Sequence, residues 1–108
     1  MKRIFDDEAV ERVNNMKLED TVNLMLSDSY ELRFMAEYVQ LGIRACKLEQ
    51  TIRKCKQGKS KFVLNCPIEV LEEQLECMVA YLATLQRRDI IEHITENIEK
   101  SLEKNEGE

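Results

Sequence analysis

An all-α fold, a long antiparallel two-helix hairpin with a short amino-terminal helix that assembles as a homo-oligomer, follows from three features of the 108-residue sequence. Phe34, Tyr38, Leu41, Ala45, Leu48, Ile52 and Cys55 recur at alternating steps of four and three, which is the seam of a helix that packs on another helix. Ile68, Leu71, Leu75, Met78, Leu82 and Leu85 repeat that period over a similar length. Between the seams, residues 56–65 hold Gly58, Ser60, Asn65 and three lysines, which are turn and helix-end residues. Seams matched in period and length zip together antiparallel. A hairpin of this size buries little surface, and association of copies supplies the missing stability.

Along the chain, residues 1–17 form an arm in which Ile4, Phe5, Val10 and Val13 stand at helical spacing, enough for a short helix. The hairpin domain spans 18–100. In its first segment Leu18, Val22, Met25 and Leu26 share one face, with Glu19 and Asp20 near the positive end of a helix. Ser27, Asp28 and Ser29 break and recap the chain, and Asp28 or Ser29 offers a side-chain oxygen to backbone N–H groups that lack a helical partner. The first long helix then runs about 28 residues, roughly 40 Å at 1.5 Å per residue. Gly42 is its weak point, at about 1 kcal/mol relative to alanine.

Pro67 belongs in the first turn of the second long helix, where its missing N–H costs nothing, and Glu69, Glu72 and Glu73 complement the helix dipole. Beyond Leu85 the heptad places Asp89 in the seam, so the register breaks at residues 87–89. Ile91, Ile94, Ile98 and Leu102 form a displaced stripe that needs another partner, a second subunit or the amino-terminal segment; Ile91, Ile94 and Ile98 are the expected oligomer interface. Residues 101–108 are a polar tail expected to fray.

Composition excludes several classes. No run of about 18 apolar residues marks a membrane span, and the first five residues lack the apolar core of a signal peptide, which places the chain in a cytoplasm. Cys46, Cys55, Cys66 and Cys77 show no Cys-x-x-Cys pairing and His93 is the only histidine, so they read as reduced packing residues, with no metal and no cofactor expected. Net charge is −5, but residues 29–66 carry net +5 and residues 67–108 net −7. Arg53, Lys54, Lys56, Lys59 and Lys61 cluster at the turn, where cations suit a helix end; the acidic second helix and the single aromatic neighbour Phe62 weigh against nucleic acid. Gly58-Lys59-Ser60 lacks the earlier glycine and preceding strand of a phosphate loop, and one histidine without a nucleophile turn builds no triad, so no enzyme activity is expected.

The ligand candidates begin the first long helix. Tyr30, Arg33, Glu37, Gln40 and Arg44 follow one another at three or four residues and stack along one flank. Tyrosine stacks on a base and arginine holds a phosphate through two hydrogen bonds. Taken alone, the stripe better suits a tyrosine partly in the core with a surface Arg33–Glu37 ion pair. An antiparallel hairpin brings Arg87 and Arg88 alongside this flank.

The run Ser27-Asp28-Ser29-Tyr30-Glu31-Leu32-Arg33-Phe34-Met35-Ala36-Glu37-Tyr38, followed by Cys66-Pro67-Ile68-Glu69-Val70-Leu71-Glu72-Glu73-Gln74-Leu75, resembles a family of small helical proteins of phages and prophages of gut bacteria and Firmicutes, related to a crAss-like phage protein. That family is more weakly similar to the two-helix hairpins of phage sponge proteins that oppose the CBASS and Thoeris defences. The resemblance implies an oligomeric hairpin in the bacterial host cytoplasm that sequesters a cyclic oligonucleotide or cyclic ADP-ribose type of signal in pockets between subunits, without cleaving it. It carries Tyr30 and Arg33 as an aromatic and basic pair; Glu37, Gln40, Arg44, Arg87 and Arg88 complete the expected ligand site. The rival expectation is a helical protein-binding or assembly module that inhibits or scaffolds a host or phage protein.

Overall fold

The computed structural model describes residues 4–58 and 64–106. Among these, α1 (Asp7–Asn14), α2 (Val22–Met25), α3 (Tyr30–Lys56), α4 (Ile68–Glu92) and α5 (Ile94–Glu106) are α-helical, and a 3-10 turn at Leu18–Thr21 leads into α2. The expected turn residues Lys59, Ser60, Lys61 and Phe62 lie outside the described residues.

The hairpin is as the two seams require. Ser29 caps α3, its hydroxyl accepting the Leu32 N–H at 3.3 Å, and Arg53, Lys54 and Lys56 occupy the last turn. Pro67 stands at the cap of α4, one position earlier than a first-turn proline, and its carbonyl accepts the Val70 N–H at 3.0 Å. Cross-helix pairs fix the antiparallel sense: Lys56 meets Glu72 at 3.0 Å near the closed end, while Tyr30 meets Glu92 at 2.6 Å at the open end. Two apolar clusters fill the interface. Ala45, Ile52 and Leu75 form one, with Leu48, Ile68, Leu71, Met78 and Leu82 around it; Phe34, Leu85 and Ile94 form the other, with Tyr38 and Leu41. Every seam position except Cys55 thus packs in a cluster, and Cys55 is half-buried.

The arm covers a second side of α3. Ala36, Ile43, Cys46 and Glu49 are buried although they lie off the seam. Phe5 packs on the cluster of Ala45, Ile52 and Leu75. Both carboxyl oxygens of buried Glu49 accept backbone N–H groups of the arm, from Ile4 at 2.8 Å and Phe5 at 3.0 Å. A long helix buried on two sides needs a wider apolar band than a heptad seam, which Ala36, Ile43 and Cys46 supply.

The end of the hairpin adds features that the seams do not encode. The second long helix runs through the register break: α4 continues to Glu92 and stops at His93, in the left-handed region at φ 56°, ψ 39°. Asp89 instead joins the two helices, accepting the Thr95 N–H and the Thr95 hydroxyl, both at 2.7 Å. The left-handed residue folds α5 back onto α3, so Ile94 is 1% exposed beside Phe34 and Leu85, and Ile98 packs on the same cluster. The expectation that Ile94 and Ile98 face another subunit is therefore corrected, because the chain's own core occupies them; Ile91 remains outward at 70% exposure. The residues expected to form a fraying polar tail are helical through Glu106.

The segment 18–26 also differs. It is helical as expected, but Val22, Met25 and Leu26 are exposed and the buried residue is Thr21. Leu18 alone of the expected face is half-buried; the side that meets α3 is that of Thr21, whose Oγ1 accepts from Gln40 Nε2 at 2.8 Å while its hydroxyl donates within the segment to the Leu18 carbonyl at 2.6 Å.

Candidate functional site

The site grows from the open end of the hairpin, where the first turn of α3 faces the last turn of α4. Tyr30, the first residue of α3, places its hydroxyl between two α4 side chains: it donates to Glu92 Oε1 at 2.6 Å and accepts from Arg88 Nη2 at 2.6 Å. Arg88 and Glu92 are one helical turn apart and pair directly, Nε to Oε2 at 3.0 Å. The Arg88 guanidinium lies 5.0 Å from the centroid of the Phe34 ring, a cation–π distance. Buried Phe34 is thus the floor on which the arginine rests, and Tyr30 and Glu92 fix its edge.

Each titrating group responds to that arrangement. The hydroxyl hydrogen bond from Tyr30, with that from Arg88, holds the Glu92 carboxyl below the ordinary carboxylate range. The same bond to Glu92, aided by desolvation, pushes the Tyr30 hydroxyl up. Pairing with Glu92 likewise raises Arg88. In the folded chain near neutral pH the cluster is a neutral phenol, a cation and an anion.

The stripe Tyr30, Arg33, Glu37, Gln40 and Arg44 does lie along one flank, but its members reach to opposite sides. Glu37 accepts the Tyr81 hydroxyl of α4, so the Arg33–Glu37 ion pair is not formed. Arg33 donates to the Ser27 carbonyl at 2.8 Å and pins the turn before its own helix. Gln40 donates to Thr21 Oγ1 at 2.8 Å and touches Met25 sulfur, tying the helix to the 18–26 segment. Arg44 and Arg87 are exposed and make no hydrogen bond or ion pair among the described residues. Of the expected set, only Tyr30 and Arg88 are brought into direct contact.

Three participants escaped the sequence reading: Phe34, assigned to the seam; Tyr81, lost among exposed positions of α4; and Glu92, one of many acids on that helix. The legible signal for Glu92 was its place four residues after Arg88, a helical ion-pair spacing.

Among the described residues no helix is long and apolar enough to cross a membrane, and no group of three histidine, cysteine or acidic side chains could hold a metal ion. The sequence profile of the family described as Sequestin matches residues 28–89, more than half of the chain, from just before α3 to the last turn of α4. No curated protein matches the chain, and no solved structure does.

Proposed function

The chain belongs to the Sequestin family, and on that premise we propose that it binds a small nucleotide-type signal and withholds it without cleaving it. The family's name is consistent with sequestration of a molecule. The observation that carries the nucleotide reading is the Tyr30–Arg88 pair. Residues from the two ends of the matched region converge at one end of the hairpin and present a half-exposed aromatic ring beside a guanidinium. A base stacks on such a ring for about 1–3 kcal/mol, and a phosphate accepts from such a guanidinium. Arg87, exposed and uncommitted among the described residues, is free to add a contact to a charged ligand, whereas Arg44 lies about 20 Å further along α3 than Tyr30, beyond the reach of a small ligand held there. Arg33, Glu37 and Gln40 serve the site by holding the flank in place.

Sequestration requires affinity and copies, not chemistry, and assembly belongs to the same reading. Ile90 and Ile91 at the outer face of α4 are 74% and 70% exposed, and Leu26 is 76% exposed. Apolar residues so placed are covered when copies associate. The setting is the cytoplasm of a bacterial host, where a phage or prophage protein of this kind lowers the free concentration of a cyclic oligonucleotide or cyclic ADP-ribose signal and silences immune signalling.

The test is heat-stabilisation of the purified chain against cyclic dinucleotides, cyclic trinucleotides and ADP-ribose isomers, followed by recovery of the ligand after denaturation. At least one compound should raise the melting temperature and return intact. Arg88→Ala should abolish the rise, and Lys54→Ala, at the far end of α3, should keep it. A cleaved product overturns the reading; no shift across the panel moves it to a protein-binding module acting through the exposed isoleucines.

A further inference from the structure

The Tyr30–Arg88 pair already holds an anion, and that anion is part of the chain. The Glu92 carboxyl spans the pair, one oxygen on the Tyr30 hydroxyl at 2.6 Å and the other on Arg88 Nε at 3.0 Å. Two oxygens on two donors is the contact pattern a phosphate uses on the same groups. Resting on the reading of this pair as the ligand site, we propose that Glu92 is an internal stand-in for phosphate, displaced when ligand binds, and that it sets which anions the site accepts.

Three observations support displacement over permanence. Glu92 is the last residue of α4, followed at once by left-handed His93, so its side chain is not locked by a further helical turn. The side chain is 35% exposed, whereas the platform beneath it, Phe34, is buried. Beside it lies a cleft of about 270 Å³ lined by Glu92, His93, Glu96, Asn97 and Lys100, which receives the swung-out carboxylate next to the Lys100 ammonium. Lys100 presently pairs with Glu96 at 3.1 Å, and Glu96 also meets His93 Nδ1 at 3.0 Å, so the cleft offers the Lys100 ammonium as a cationic partner shared between Glu96 and a swung-out Glu92.

The consequence is a rule of charge. A singly charged phosphodiester replacing Glu92 exchanges one unit of charge for another and gains little on Arg88. A pyrophosphate or terminal phosphate brings a larger charge to the same donors and wins the exchange, since hydrogen bonds to ionised partners strengthen with charge. The ligand class that the gate favours is therefore a nucleotide with a pyrophosphate or terminal phosphate, above one that carries phosphodiesters alone.

The test titrates inorganic pyrophosphate into full-length wild type and Glu92→Gln while following the Arg88 Nε–H resonance by NMR. Glu92→Gln keeps an oxygen for the Tyr30 hydroxyl and removes the competing charge. It should bind pyrophosphate about tenfold or more tightly than wild type, with the Arg88 signal moving in both. Glu92→Asp, too short to span both donors, should fall between them and serves if the glutamine variant loses helicity. Equal affinity in all three, no binding in any, or binding that leaves the Arg88 signal unmoved overturns the proposal. If pyrophosphate binds as expected but no nucleotide of the panel does, the gate stands and the nucleotide reading fails. If nucleotides bind and the Glu92 variants are neutral toward them and toward pyrophosphate, the reverse holds.

Discussion

Glu49, about two turns before the end of α3, accepts the backbone N–H of Phe5 at 3.0 Å from a position that is itself 1% exposed. With the Ile4 N–H on its other oxygen, this side chain is the polar lock of the arm, while the Phe5 ring is the apolar one. Removing the carboxyl leaves two amides to desolvate unpaired or forces the arm to lift. Glu49→Ala should cost about 1–3 kcal/mol, the penalty for stranding a buried donor, capped by the free energy with which the arm docks. Denaturant unfolding measures the loss, and the Ile4 and Phe5 amides should lose hydrogen-exchange protection. Because Phe5→Ala undocks the same arm, the double variant should lose less than the sum of the single losses.

Ile94 and Ile91 separate core from surface at the α4–α5 joint. Ile94→Ala should destabilise the chain by about 2–4 kcal/mol, as expected of a buried isoleucine cut to alanine. Ile91→Ala, at a position 70% exposed, should change monomer stability by no more than about 0.5 kcal/mol. Chemical denaturation of the two variants checks the pair, and equal losses would show that α5 does not fold back as described. Light scattering on wild type should give a mass above one chain of 12.7 kDa, and Ile91→Ala should shift it toward one chain if the outer face of α4 joins the copies.

Gly42 gives a prediction of opposite sign. A Cβ there meets nothing within 4 Å beyond the local backbone of its own helix, since the residue borders a groove of about 310 Å³ between α1 and α3. Gly42→Ala should therefore recover the helix-propensity deficit of about 1 kcal/mol without a clash. A rise of a few degrees in melting temperature is the expected reading. A fall would mean that the groove closes on Gly42 in solution.

The Tyr30–Arg88–Glu92 cluster predicts a window of pH. Glu92 is held low in the folded chain, so its contribution is present above the unfolded value of about 4.3 and is lost as pH falls through the lower folded value. Tyr30 is held high, so its contribution is present below the unfolded value of about 10 and is lost as pH rises through the higher folded value. The stability difference between wild type and Tyr30→Phe should stay level from about pH 5 to about pH 9 and shrink on both sides. Melting curves of the two proteins across pH supply the comparison, and a difference that changes near pH 7 would place another group in the cluster.

The two seams, the Ser29 cap and the turn between the long helices were legible in the sequence because the burial they encode is periodic: apolar side chains at steps of three and four leave only one way to shield both helices. The flank from Tyr30 to Arg44 was legible for the same reason, since helical spacing alone decides which side chains share a side. Their partners were not. Tyr30 meets Glu92 across 62 residues of chain, and Gln40 meets Thr21 across 19, choices that composition cannot rank when α4 carries many acids and 18–26 several acceptors. Nor could periodicity foresee that His93 turns left-handed, that Ile94 thereby enters the core it was expected to leave, or that a glutamate on α3 is buried to hold the arm. The sequence by itself determined the helices and the seam between them, through local burial. Only the tertiary structure decided where α5 and the arm lie, because the arm is fixed by hydrogen bonds from Glu49 to amides far away in the chain and α5 by one left-handed residue that swings Ile94 and Ile98 onto Phe34, and neither device has a period to read.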